Sequence, residues 1–473
     1  MRNIVIAAIL LAGACTAGMP DPYGPCPSEA QMQWQKMETN MFVHFGPNTF
    51  SGKEWGDGTE AEDMFNPSAL DCRQWAAIAK EAGFKGIIIT AKHHDGFCLW
   101  PTSTSTHSVA SSKWRDGQGD VLRDLSDACR QYGLKFGVYL SPWDRNHPAY
   151  GYPEYNTLYA KALEEVHTGY GEVFEQWFDG ACKPGPNGRR QTYDWPLFHQ
   201  TVRKYSPGAI MFSDIGPGCR WMGNEKGEAG STNWSRLDTD GFEPGAGAPP
   251  ADTLRMGNIC GSSWVPAETD VSIRPGWFWK ESENTKVKSP EELLDIYYKS
   301  VGRNSLLLLN IPPDDRGLIH EADSMSVMGF RQMLDKIFAV NLADGASVRA
   351  SSSRGKRFCG RKILDGSYDS FWAVSTEDSS PEIEIILPEK RTFNRILIQE
   401  YIPLGQRVSS FAVDAFTQGE WKQIAEGTTI GYKRILLTDD VCTDKVRLRI
   451  TGSLACPLLN GFGLYFDPFI ARK

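Results

Sequence analysis

From residue 41 to residue 338 the chain alternates short apolar runs with longer stretches whose apolar residues recur at every third or fourth position, and nothing else in the sequence restricts its fold as tightly. Residues 41–45, 86–90, 135–140, 175–179, 209–212 and 305–311 read as strands. Residues 70–82, 121–132, 158–170, 195–205, 291–301 and 324–338 read as helices. Strands that are apolar on both faces need cover on both, and a parallel sheet wrapped in helices supplies it. The alternation therefore predicts an α/β fold, and its extent favours a closed (β/α)8-like TIM barrel over an open sheet. Residues 215–285 are rich in Gly, Pro and Trp with little periodicity, and are expected as long loops on that barrel.

Beyond about residue 340 the period changes to two. Ile383, Ile385 and Leu387 alternate with acidic residues, and Ile396 with Ile398, Phe411 with Val413, Val446 with Leu448 and Ile450, then Leu464 with Phe466 follow between turn residues. This is the pattern of a C-terminal antiparallel β-sandwich. The expected organisation is a leader over 1–20, the β/α barrel over 21–339 and the sandwich over 340–473. The leader combines Arg2, an apolar run over 4–11 and the stretch Leu11, Ala12, Gly13, Ala14, Cys15, which resembles a bacterial lipobox. That run is shorter than the ~20 residues of a membrane span. Export is expected, to the periplasm or the outer membrane, with a lipid on Cys15 as the sole membrane contact or with ordinary signal cleavage as the alternative. Fifty basic against 58 acidic residues give a net charge of −8, which argues against a nucleic-acid partner. Eleven cysteines form no CxxC pair and no zinc-like Cys/His cluster, and Cys98 and Cys129 fall in apolar patterns as core thiols.

Chemistry concentrates at the ends of the predicted strands, which in a parallel barrel all open on one face. The run from Glu175 to Gly180 presents Asp179 beside Trp177, while His44, His93 and His94 end two earlier strands. Thirteen of the fifteen Trp residues precede residue 340. Indole rings in a cleft suit the C–H faces of sugars, although core packing accounts for about half of them. A lone histidine at a strand end is more often a packing residue than a ligand. The adjacent pair His93 and His94, followed by Asp95, could also ligate a metal, but the HxH and later Lys or Asp ligands of a barrel metallohydrolase are not evident. No metal is expected in the site.

The blocks HFGPNTF at 44–50, EWGDG at 54–58, AKHHDGF at 91–97, GVYLSPWDRN at 137–146, WFDG at 177–180, RWMGNE at 220–225 and SIRPGWFW at 272–279 together resemble an α-L-fucosidase of glycoside hydrolase family 29. The segment from Ala346 through Ile363, Leu364, Asp365 and Gly366 to Trp372 resembles the factor 5/8 type C, or discoidin, module. The GNE and SIRPGWF blocks, with that module behind them, are similar to the branch acting on α-1,3- and α-1,4-linked fucose. The resemblance implies a retaining exo-hydrolase that releases terminal fucose from oligosaccharides or glycoconjugates through a covalent fucosyl-enzyme and requires no cofactor. Its implied nucleophile is Asp179 and its implied acid/base Glu225, with Glu228 and Glu268 left open for the second role. His44, Glu54, Trp55, His93, His94, Tyr139, Trp177 and Trp277 are the implied fucose-binding residues, with Trp143, Trp279 and Arg274 in their neighbourhood. A structural Ca²⁺ near Asp365, or a plain scaffold there, is equally implied. A broad-specificity fucosidase and an inactive glycan-binding protein are the alternatives.

Overall fold

The computed structural model describes residues 18–375 and 378–469; the lipobox-like stretch with Cys15 lies outside the described residues. Eight parallel strands close a barrel in chain order: β1 (Thr39–Val43), β2 (Gly86–Lys92), β3 (Lys135–Leu140), β4 (Val173–Trp177), β5 (Ile210–Ser213), β6 (Cys219–Trp221), β7 (Ala267–Ser272) and β8 (Ser305–Asn310). The continuous apolar runs are explained by the two cores they serve. Met41, Val43, Ile87, Ile89, Leu307 and Leu309 face the surrounding helices. Phe42, Ile88, Leu306 and Leu308 fill the barrel interior with Tyr139, Phe174, Trp177 and Phe212. Helices Cys72–Glu81, Val121–Tyr132, Trp195–Tyr205 and Pro290–Lys299 each start on a side-chain cap, from Asp71, Asp120, Asp194 and Ser289, that satisfies an otherwise orphan N–H.

β6 and β7 fall in the stretch expected as loop. β6 is only three residues long and follows β5 after a five-residue turn with no helix between them. β7 reads Ala-Glu-Thr-Asp-Val-Ser, so its inward positions are carboxylates rather than apolar residues. Between them the chain makes an excursion through a two-stranded ribbon, Arg236–Leu237 with Ser263–Trp264, and the short helix Ala251–Met256.

Helix Glu29–Gln35 closes the barrel at the strand-start end. Its Trp34 Nε1 donates to Glu175 Oε2 at 2.7 Å, and Gln31 Nε2 donates to the carbonyls of Gly218 and Trp264. After the last barrel helix, Glu321–Phe338, a seven-stranded antiparallel sheet follows. Its strands Glu382–Glu400 and Arg434–Ser453 pair with register shifts between Ile386 and Arg391 and between Phe393 and Arg395. Such irregularities bend a ladder, and here the sheet encloses Ile383, Ile385, Ile396, Phe411, Val413 and Leu448. The ten cysteines of the described residues are free thiols, with Cys98 and Cys129 buried in the barrel core. Among the described residues no helix is long and apolar enough to cross a membrane.

Candidate active site

Asp179 stands two residues beyond the end of β4. Its Oδ1 accepts the Ala181 N–H at 2.6 Å, its Oδ2 accepts the Tyr139 hydroxyl at 3.2 Å, and about a quarter of the side chain, 26%, stays open to solvent. Burial, with the Asp179 charge beside it, holds the Tyr139 hydroxyl well above its ordinary pKa, so the phenol remains a donor. Beneath lies Trp177, stacked flat on Phe212 at 3.9 Å between ring centres, with its Nε1 fixed by Glu268 Oε1 at 2.8 Å.

The three histidines form one wall. His44 follows β1 and its Nδ1 lies 2.9 Å from Asn310 Oδ1 at the end of β8. Asn310 also accepts the His44 N–H, and its Nδ2 donates to Ser272 Oγ and the Trp277 carbonyl, so the orientation of the amide is set by four partners. An accepting Oδ1 puts the proton on His44 Nδ1 and leaves Nε2 as an acceptor. The same logic holds for His94, whose Nδ1 meets Ser141 Oγ at 2.8 Å while that hydroxyl donates to the Trp143 carbonyl. His94 Nε2 faces Asp179 Oδ2 at 3.8 Å. His93 stacks on Tyr139 at 5.7 Å and meets the Phe278 edge. Burial lowers the pKa of His44 to about 3 and that of His94 to about 4, and takes His93 well below its ordinary value. All three are neutral near pH 7 and serve as hydrogen-bond partners rather than as charges.

Loops add residues that pack against these histidines. Trp277 packs 5.0 Å from His44, its Nε1 donates to Glu225 Oε2 at 3.2 Å, and its backbone N–H donates to Glu54 Oε2 at 2.8 Å. Glu54 also binds Lys280 Nζ at 2.5 Å, which ties the EWGDG loop to the SIRPGWFW loop. Trp55 is 47% exposed at the rim, edge-on to His94 and Trp143, with the Lys183 ammonium over its face at 4.1 Å. Every residue expected in the pocket is thus joined to another by a hydrogen bond or a ring contact. Glu225 is exposed on the loop after β6. Of the two alternatives for its role, Glu228 turns toward Arg303 at 3.8 Å. Glu268 is fully buried below Trp177. Arg274 is buried in a two-oxygen ion pair with Asp323, which anchors its loop.

Several groups were not visible as site residues in the sequence. Asn310 orients His44, and its position directly after the four leucines 306–309 is the one hint of that role. Asp214, just past β5, brings its Oδ2 so near Gly180 that a Cβ there would stand 2.3 Å away, which explains the glycine after Asp179. Burial, reinforced by the Asp179 charge, raises the Asp214 pKa to about 6. Asp270 on β7 accepts from Trp221 Nε1 at 3.0 Å, and burial with Glu225 nearby raises its pKa far above the carboxylate range. Lower in the barrel, Glu175, Cys219 and Glu268 lie within 4.8 Å of one another, the one group among the described residues with metal-ligand proximity. The indole N–H groups of Trp34 and Trp177 are spent on its carboxyls, and burial raises both glutamate pKa values, which favours their protonated forms beneath Trp177. Asp95 accepts from Phe97 N and Asn48 Nδ2, a fixed structural role beside the histidine pair. In the sandwich, Asp365 accepts from Ser367 N, Ser370 Oγ and Lys362 Nζ, and a calcium ion there would have to displace the lysine.

Cleavage of a glycosidic bond calls for two carboxyl groups bordering a sugar-sized hollow. Asp179, partly open to solvent, and Glu225, held by Trp277, stand among aromatic rings and neutral histidines at the C-terminal face of a barrel, an arrangement that fits a glycoside hydrolase. Residues 23–335 match the family Alpha-L-fucosidase and residues 347–459 match the F5/8 type C domain. The chain belongs to the α-L-fucosidase family, glycoside hydrolase family 29. It is 44% identical over 455 residues to a putative alpha-L-fucosidase 1 of Oryza sativa subsp. japonica, covering 95% of this chain and 87% of the relative. A putative alpha-L-fucosidase of Bacteroides thetaiotaomicron superposes with a TM-score of 0.89 at 40% identity, over 95% of this chain and 99% of that one. A family 29 fucosidase of Ruminococcus gnavus in complex with fucose superposes with a TM-score of 0.87 at 32% identity, over 96% and 97% of the two chains.

Proposed function

We propose that the protein is a retaining exo-α-L-fucosidase that removes α-1,3- or α-1,4-linked terminal fucose from Lewis-type glycans. The observation that carries the reading is Asp179, held by Tyr139 and the Ala181 N–H at a strand end with one edge open to solvent. In this mechanism an Asp179 oxygen attacks the anomeric carbon as Glu225 protonates the departing oxygen. Water then attacks the fucosyl-enzyme while Glu225 takes its proton, and net retention follows from the two inversions. Tyr139 would steady the charge on Asp179 before attack. The acceptor nitrogens of His44 and His94 suit sugar hydroxyls, and Trp177, Trp277 and Phe278 suit the C–H face and the 6-methyl group.

The linkage reading rests on the RWMGNE and SIRPGWFW blocks. A Lewis-type fucose has a galactose on the neighbouring carbon, and the loops between β6 and β7 are long enough to grip it. Binding energy from that remote sugar would be realised in the transition state. The leader-like residues 1–20 would take the enzyme to the periplasm or, with a lipid on Cys15, to the outer membrane.

The decisive experiment compares Asp179→Gly with wild type. The variant is expected to lose nearly all turnover and to form β-fucosyl azide when azide is added, because the anion enters from the face the carboxylate vacated. An α-azide product would instead make Asp179 the acid/base. On the wild-type enzyme, Lewis a and Lewis x trisaccharides should be released far faster than 2'-fucosyllactose or aryl fucoside. Comparable kcat/KM values across that panel would assign the protein to broad specificity and leave the catalytic roles in place.

A further inference from the structure

Behind each of the three clustered histidines stands a group that decides which ring nitrogen carries the proton, and the group behind His93 differs from the other two. His93 Nδ1 lies 3.5 Å from Asn48 Nδ2, and the same amide nitrogen donates to Asp95 Oδ2 at 3.1 Å. Charge sets which end of the amide faces this pair. Burial lifts the Asp95 pKa to about 6, so near pH 7 the carboxylate is mostly ionised and can only accept. A carbonyl oxygen turned toward it would be repelled, whereas the amide –NH2 has one hydrogen for the carboxylate and a second for the ring. Asp95 is itself fixed, since its Oδ1 accepts the Phe97 N–H at 2.7 Å.

Packing holds the amide in this setting. Asn48 is fully buried, and Gly56 of the EWGDG loop presses so closely that a Cβ there would stand 2.8 Å from both Asn48 Oδ1 and Asp95 Cβ. Asn48 Oδ1 has no hydrogen-bond partner, a costly state for a buried oxygen, so the donor end is the part of the side chain that the site uses. A proton on His93 Nδ1 would meet that donor head-on. It therefore sits on Nε2, the opposite tautomer to His44 and His94, whose Nδ1–H groups point at Asn310 Oδ1 and Ser141 Oγ. Burial takes the His93 pKa well below its ordinary value, so the ring is neutral and Nε2 is its one donor. His93 also keeps 8% of its surface accessible, against 5% for His44 and 2% for His94.

We propose that Asn48 is a positioning residue that makes His93 the hydrogen-bond donor among the three histidines, where His44 and His94 present acceptors. A sugar hydroxyl donates once and accepts twice. Acceptors alone could take hydrogens from such hydroxyls and return none, whereas a set of mixed sense tests the polarity of each hydroxyl as well as its place. The hydroxyl contact rests on the fucosidase reading; the proton position does not.

Neutron diffraction from deuterium-exchanged crystals of the full chain near pD 7 locates the protons directly. Deuterium is expected on His93 Nε2 and on Nδ1 of His44 and His94, and deuterium on His93 Nδ1 would overturn the proposal. Asn48→Asp keeps the shape of the amide but puts an oxygen where the donor was, sharing a proton with Asp95 and drawing the His93 proton to Nδ1. Its kcat/KM on Lewis x trisaccharide should fall about 10- to 100-fold. A role in packing alone predicts unchanged kinetics for this isosteric variant, and that result would equally overturn the proposal. Inhibition by deoxy and deoxyfluoro fucoses reads the same contact from the ligand, because fluorine accepts a hydrogen bond and cannot donate one. At one ring position the fluoro compound should bind wild type better than the deoxy compound, and Asn48→Asp should abolish that advantage. The same advantage in both proteins would detach Asn48 from the sugar contact. A wild-type chain that hydrolyses no fucoside would instead remove the fucosidase reading and leave the proton assignment standing.

Discussion

Asp179 and Asp214 end neighbouring strands, and different burial gives their carboxyls different work. Asp179 keeps an open edge and two donors, whereas Asp214 has its pKa raised from 3.8 to about 6 by burial and by Asp179. Between those two pH values the native state holds a proton that the unfolded chain has released, so this group makes stability fall as pH rises, and its full cost stands above about pH 6. Asp214→Asn should therefore stabilise the protein at pH 7.5 by on the order of 1–2 kcal/mol, given ~1.36 kcal/mol per pKa unit and some solvent access. The gain should vanish by pH 4. Thermal melts of the two proteins at both pH values check this, and a lower Tm for the variant at pH 7.5 would contradict it. Glu225 is tested through its leaving group. Glu225→Ala should slow Lewis trisaccharides by about 10²–10⁴-fold and activated aryl fucosides far less, because only a poor leaving group needs its proton. Equal losses on both substrates would remove Glu225 from that role. At this scale the sequence was most legible where a block ends on a strand: His44, His93, His94 and Asp179 all stand where the pattern put them. Asn310, Asp214 and Asp270 carry no such mark, because their roles arise from neighbours that the closure of the barrel brings together.

Among the elements, strands and loops divide the labour. The strands fix Asp179, Tyr139 and the histidines, while the 273–279 segment after β7 must be held against the 54–58 loop to bring Trp277 and Glu225 into place. Gly276 is the closest point of that contact, where a Cβ would come within 2.3 Å of Glu54 Oε1. Gly276→Ala should push Glu54 off the Trp277 N–H and displace the indole. A displacement near 1 Å is worth about 10²-fold in rate, so kcat/KM should fall 10- to 100-fold while far-UV circular dichroism and Tm change little. Unchanged kinetics would mean that the two loops reach the substrate independently. The same region shows where pattern reading stops. Strands buried on both faces by apolar residues, such as β2 and β8, are legible as runs, but β6 is too short to show a period. β7 alternates the carboxylates Glu268 and Asp270 with Ala267, Thr269 and Val271 because its inner face meets Trp177, Trp221 and the buried Glu175, and in a sequence that looks like loop.

The whole molecule is welded rather than strung together, and Asn304 is a central point of the weld. Asn304, just before β8, holds a left-handed backbone with φ of 61° and donates to the Asn233 carbonyl and Ser235 Oγ of the long excursion between β6 and β7. It also accepts the Tyr432 N–H of the sheet module at 2.7 Å. Nearby, Arg434 donates to the Ser231 carbonyl, Gln406 accepts from Ser235 N, and Lys433 pairs with Glu38. The division near residue 340 was legible as a change of period from helical to two-residue spacing, but no local pattern can report contacts between residues 200 positions apart. With so many buried backbone groups satisfied across the junction, barrel and sheet should unfold together, giving one calorimetric transition followed equally by active-site tryptophan fluorescence and by the sheet's circular dichroism. Asn304→Ala leaves buried donors and acceptors on both modules unpaired and puts a Cβ-bearing residue without a compensating amide into the left-handed region. The expected loss is about 2–4 kcal/mol, seen as a single transition shifted down by a few degrees. Separation into two transitions in the wild-type protein, or a shift in the variant confined to one probe, would show that the modules fold as independent units.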